Sequence, residues 1–124
     1  MTKQKYLLIR SNLDYKVMKL DRKALIITEG YHDIAVMGNT YPIKEHLKAL
    51  GFTWSRKNRW WYKFCDHYRE EAPKLAEQLS QITNAPIYIV ATLLDTWDGH
   101  IIEREEELIE ILKRRKKNRK GVEP

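Results

Sequence analysis

Apolar side chains in this chain fall into short runs and stripes whose spacing predicts a mixture of strands and helices. The runs at 6–10 and 24–28 are rich in Leu and Ile and bounded by polar residues or glycine, so both are expected to be strands. Segment 15–20, with Tyr15, Val17 and Met18, and segment 33–37 are shorter candidates for the same state. Gly38, Asn39 and Thr40 interrupt the pattern, and Pro42 suits a first helical turn, where its missing N–H is not needed. Ile43, Leu47 and Leu50 share one helical face and Gly51 is placed for a left-handed C-cap, which predicts a short helix over 42–50.

Two aromatic runs, 52–54 and 59–64, then flank Ser55, Arg56, Lys57 and Asn58 and predict a β-hairpin. Strand alternation points Arg59, Trp61 and Lys63 one way and Trp60, Tyr62 and Phe64 the other. The second set is expected to be core. The first places a Trp between two cations and is expected to be exposed. Trp54 joins the first set if the loop has two or four residues and the second set if it has three. Asn58 accommodates the positive φ of either longer loop, and four residues, 55–58, is favoured.

Further on, Asp66 is a candidate N-cap for a helix reaching Ile82, regular only after Pro73. Segment 87–91 is a continuous apolar strand of the kind found at a sheet centre. A last helix is expected over 100–113, with Ile101, Leu108 and Ile111 near heptad spacing and Ile102, Ile109 and Leu112 widening the stripe. That stripe either pairs two copies as a homodimer or covers the chain's own sheet. The fold class implied is α+β, a mostly antiparallel sheet with flanking helices. The expected organisation is a domain over 1–98, the helix over 99–113 and a basic flexible tail over 114–124.

Charge sharpens this outline. Seven of the 23 Lys and Arg residues lie in 113–120, among them Lys113, Arg114, Arg115, Lys116 and Lys117, and the remaining 16 are balanced by 16 acids over 1–112. Within that neutral body, 41–64 holds six basic residues (Lys44, Lys48, Arg56, Lys57, Arg59 and Lys63) against Glu45 alone. The same segment holds seven of the 13 aromatic residues. Aromatic faces accept stacked bases and neighbouring cations hold phosphates, a combination suited to unpaired strands because a duplex hides its base faces. The charged fraction of 32% exceeds the usual quarter and has the Lys, Glu and Arg richness of thermophile surfaces.

Other chemistries find less support. Cys65 is the only cysteine, and with His67 it offers two metal ligands where a structural zinc needs four. His32, His46, His67 and His100 contain no i, i+4 pair, and no glycine-rich phosphate loop accompanies the carboxylates, so neither enzyme activity nor a cofactor is expected. The longest apolar stretch, 85–94, is too short to cross a bilayer and the first residues do not form a signal peptide, so a cytoplasmic location is expected, nucleoid-associated if the ligand is DNA.

The helix, the Leu-Gly-Phe-x-Trp of 50–54, the basic turn and the Trp-Trp-Tyr-Lys of 60–63, followed by a terminal helix, resemble the ThermoDBP-type single-stranded DNA-binding proteins of thermophilic archaea. The local match covers 41–64. The resemblance implies an α+β domain with a cleft for single-stranded DNA lined by Trp54, Arg59, Trp61 and Lys63, and a terminal helix able to dimerise. The terminal helix departs from the family in being short and without a clear leucine zipper. Residues and resemblance together predict sequence-independent binding of single-stranded DNA by Phe52, Trp54, Arg56, Lys57, Arg59, Trp61 and Lys63, with the tail as a second phosphate-binding feature. An RNA-binding protein, a protein-interaction adaptor and, more remotely, a small nuclease are the competing readings.

Overall fold

The computed structural model describes residues 6–30, 32–65, 68–91 and 97–122, with side chains described except at 68–70 and 116–122. Strand β1 (Leu7–Arg10) leads through a 3-10 turn into helix α1 (Asp14–Leu20). Strands β2 (Leu25–Glu29) and β3 (Asp33–Gly38) follow, then a 3-10 turn at Tyr41–Ile43 running into α2 (Lys44–Ala49). Next come β4 (Thr53–Ser55), β5 (Trp60–Phe64), α3 (Tyr68–Ser80), β6 (Ile87–Ala91), β7 (Ile101–Ile102) and α4 (Glu105–Val122).

The seven strands form one sheet in the order β4-β5-β3-β2-β6-β1-β7. The class is α+β, but the sheet is mixed where a mostly antiparallel one was expected. The pairings β4–β5, β5–β3 and β3–β2 are antiparallel, whereas β2–β6, β6–β1 and β1–β7 are parallel. The two halves differ in their covering. All five residues of β6 are buried, as suits a central strand with helices over both faces. The β4–β5 end belongs to a hairpin at the margin of the sheet.

Helices α2 and α3 cover the front face, where Ile27, Ile34, Val36 and Ile89 of the sheet meet Leu47, Leu75 and Leu79. Helices α1 and α4 lie on the back, where Ile9, Ile26, Met37 and Tyr88 meet Val17 and Leu108. Among the described residues no helix is long and apolar enough to cross a membrane.

Three element expectations are corrected. Segment 15–20 is helix α1, because Leu13 and Val17, four residues apart, are the buried pair while Tyr15, Met18 and Leu20 face solvent. The exposed apolar residues conceal the helical period. Ile101 and Ile102 form β7, alongside Leu8 and Ile9 of β1, and the last helix starts only at Glu105. Three glutamates open it and the basic run closes it, both favourable to the helix dipole, so the helix continues to Val122 instead of ending at 113. Leu108 is fully buried in the chain's own core, and Ile111 and Leu112 pack half-buried against it.

Helix α3 contains Pro73 where a regular helix only beyond it was expected. The Ala72 N–H donates at 2.6 Å to Oε1 of the buried Glu29 on β2, so a strand carboxylate serves the amide beside the proline. The proposed Asp66 cap, and His67 of the Cys-x-His pair, lie outside the described residues.

Candidate functional site

The hairpin register pairs Thr53 with Tyr62, Trp54 with Trp61 and Ser55 with Trp60. The loop therefore has four residues, as favoured, but they are 56–59 and not 55–58. Ser55 closes it, its carbonyl accepting the Arg59 N–H at 2.8 Å and its hydroxyl the Asn58 N–H at 3.2 Å. The left-handed residue is Arg59, at φ 57°, in place of Asn58. An even loop still sets Trp54 and Trp61 on one face, where their ring centroids lie 5.4 Å apart at a 56° tilt.

The exposure of the two hairpin faces differs from expectation. Trp61 is only 7% exposed and belongs to the front core with Leu47 and Phe52, itself buried. Phe64, expected in the core, is 75% exposed, with Trp60 and Tyr62 half-buried beside it. The reason is which half of each face is covered. Helix α2 lies over the hairpin in front, while α1 and α4 sit behind the other end of the sheet. The cation–Trp–cation alternation also fails, because Arg59 belongs to the turn and Lys63 extends over Phe52, its Nζ 6.0 Å from the ring centroid.

What remains open in front is a groove between α2 and the hairpin, with a volume of about 490 Å³, lined by Gly38, Asn39, Thr40, Tyr41, Lys44, Lys48, Trp54 and Trp61. Trp61 forms its floor. Tyr41 is 74% exposed and Trp54 42% exposed, so two aromatic side chains present accessible surface, one from the turn into α2 and one from β4 of the hairpin. Lys44 Nζ sits 4.2 Å from the Tyr41 ring centroid. Lys48 pairs with Glu45 at 3.4 Å on the exposed surface, a contact worth about 0–1 kcal/mol that an incoming anion exchanges readily.

Lys44 and Lys48 stand in the sequence only as part of the charge of 41–64, and Tyr41 only as one of its seven aromatic residues. Their spacing of three and four residues was the available signal, since it puts them on one side of a helical turn. The other expected site residues are dispersed. Phe52 and Lys63 border a neighbouring hollow with Cys65, Glu71 and Lys74. Arg56, Lys57 and Arg59 are exposed at the hairpin tip. Lys113 and Arg114 are exposed on α4, behind the sheet, and Arg115 turns inward, its Nη1 donating to the Tyr88 hydroxyl at 3.4 Å. Backbone at Lys116 and Lys117 is helical, and their side chains lie outside the description.

Tyr88 itself donates to Asp21 Oδ2 at 3.4 Å. Burial pushes its phenol up to about 12; Arg115 opposes the shift and Asp21 adds to it. On the same side of the molecule His100 pairs with Glu107. Among the described residues no group of three or more His, Cys, Asp or Glu side chains is arranged to hold a metal ion.

No protein-family model, curated protein or solved structure matches the chain.

Proposed function

We propose that the protein binds single-stranded nucleic acid, DNA in the first instance, without sequence preference, in the groove between α2 and the hairpin. The observation that carries this reading is the pairing of two accessible aromatic side chains, Tyr41 and Trp54, with Lys44 and Lys48 around one groove floored by Trp61. Bases stack on the rings and phosphates meet the ammonium groups, with no donor or acceptor pattern needed to read a base edge. The likeness of 41–64 to ThermoDBP-type proteins points the same way. The function is that of a binding module, and no reaction is assigned to it.

Two stacked bases at roughly 1–3 kcal/mol each fall short of the about 8 kcal/mol that a micromolar complex requires. Phosphate contacts supply the remainder, so affinity falls steeply with salt. The test is a titration of intrinsic Trp fluorescence with oligo-dT, oligo-rU and a duplex of equal length at one low salt concentration. Quenching by dT that exceeds quenching by duplex is expected, and the rU arm ranks DNA against RNA, since stacking and phosphate contact serve both. Absence of binding by any single strand at low salt would overturn the reading.

A second reading, a protein-interaction adaptor, is favoured by one observation. Behind the hairpin, Phe64 is 75% exposed and stacks edge-on against Tyr62 at 5.8 Å. That ladder ends beside Asp33 and is less suited to a polyanion. Phe64→Ser separates the two readings, because it leaves oligonucleotide binding intact if the groove is the site and removes a protein partner if the ladder is.

A further inference from the structure

The two basic features that are far apart in sequence also lie on opposite faces of the sheet, the groove in front and α4 behind. What lies between them is the corner where α1 passes into β2. A second hollow there is lined by Met18, Arg22 and Ala24 together with Gly38 and Asn39, the two residues that also border the groove. The two depressions therefore meet along one ridge at the end of β3. That ridge is bare backbone at Gly38, whose φ of 98° and whose position leave no room for a side chain: a Cβ would stand 2.4 Å from the Ala24 carbonyl oxygen. The Asn39 N–H donates to the same carbonyl at 3.0 Å and ties the ridge to the corner.

The corner carries the chemistry of a strand path. Met18 is 42% exposed, and Lys19, Arg22 and Lys23 are all exposed around it. The one acid in the hollow, Asp21, accepts from the Tyr88 hydroxyl, and Arg115 reaches that same hydroxyl from α4. The Tyr88 hydroxyl thus brings the end of α1 and the start of the basic run together, and α4 continues from there to Val122 through Lys116, Lys117, Arg119 and Lys120. Lys44 and Lys48 line the groove on one side of the Gly38–Asn39 ridge, Arg22 lines the hollow on the other, and Arg115 reaches the corner through the Tyr88 hydroxyl.

We propose that this corner is a second subsite for the same nucleic-acid strand, which leaves the Tyr41–Trp54 groove over Gly38 and Asn39, lays its phosphates along Arg22 and Lys23, and continues toward the basic end of α4. The proposal rests on the reading of the groove given above. Its occupant is a polyanion because both hollows carry cations, Lys44 and Lys48 in the groove and Arg22 at the corner, with Lys19 and Lys23 exposed beside it. A short oligonucleotide fills the groove alone, and a longer one gains the corner.

The experiment compares dT4 with dT15 on the full chain, by fluorescence titration across a series of salt concentrations, for the wild type, Arg22→Glu/Lys23→Glu and Trp54→Ala. Both charge-reversed side chains are exposed, and circular dichroism checks that the fold is kept. The expected result is that wild type binds dT15 with a steeper salt slope than dT4. The charge reversal then weakens dT15 by about tenfold, lowers its slope by about 1.4, the share of two contacts at about 0.7 each, and leaves dT4 unchanged. Trp54→Ala weakens both oligonucleotides. Equal dT15 affinity in wild type and charge-reversed protein, with Trp54→Ala still impaired, overturns the corner subsite and leaves the groove standing. Binding of neither oligonucleotide to wild type overturns the groove reading itself.

Discussion

Trp54 and Trp61 face each other across the hairpin, yet substitution of each should report on a different property. Trp54 is 42% exposed, so Trp54→Ala should weaken single-strand binding by roughly 1–3 kcal/mol while leaving the urea midpoint almost unchanged. Trp61 is buried among Leu47 and Phe52, so Trp61→Ala should destabilise the fold by about 3–5 kcal/mol, and any lost binding would follow from that. Equilibrium unfolding alongside fluorescence titration separates the two, and a Trp61→Ala protein of unchanged stability would contradict the packing described. Tyr88 gives a pH test at the same scale. Its folded pKa of about 12 lies above the ordinary 10, so its contribution to stability is complete below pH 10 and lost as pH rises from 10 to 12. Tyr88→Phe should shrink the fall in urea stability over that window, and an identical fall in the variant would remove Tyr88 as its source.

Between elements, the clearest dependence is that of α3 on β2. Glu29 is buried and takes the Ala72 N–H across 43 residues of sequence. Glu29→Ala leaves that amide without its acceptor, at a cost of about 1–3 kcal/mol, whereas Glu29→Gln keeps an acceptor oxygen and should lose less. Thermal unfolding of the two variants checks the order, and equal losses would mean that the Ala72 contact is not what Glu29 contributes. Helices α1 and α2 show how the same burial logic serves the site. Each covers part of one face and leaves the rest open, α2 flanking the groove with Lys44 and Lys48 and α1 presenting Met18 and Arg22 at the corner.

Across the whole molecule, the positive charge is divided between the front groove and the α4 end. Deleting 116–124 keeps Arg115 on Tyr88 and removes four cations, Lys116, Lys117, Arg119 and Lys120. The plot of log affinity against log salt for a long oligonucleotide should flatten, while Trp quenching by a short one persists. Complete loss of binding on this truncation would move the site from the groove to the tail.

Much of this architecture was legible in the chain itself. Runs at 6–10, 24–28, 33–37 and 87–91 are strands within a residue or two, and the helix before the hairpin was readable from Pro42 and Gly51, whereas the aromatic spacing gave the hairpin but left its loop length open. Those features depend on local period and turn chemistry, which neighbouring residues carry. What only the tertiary structure decided is which face of each element is covered. Val17 and Leu108 are buried by partners distant in sequence; Trp61 lies inside despite its charged neighbours; Phe64 is left outside because α1 and α4 cover the other end of the sheet. The groove follows the same rule. Tyr41, Lys44 and Lys48 meet Trp54 because β5 pairs with both β3 and β4, bringing the turn after β3 beside the hairpin, a consequence of strand order and not of local pattern.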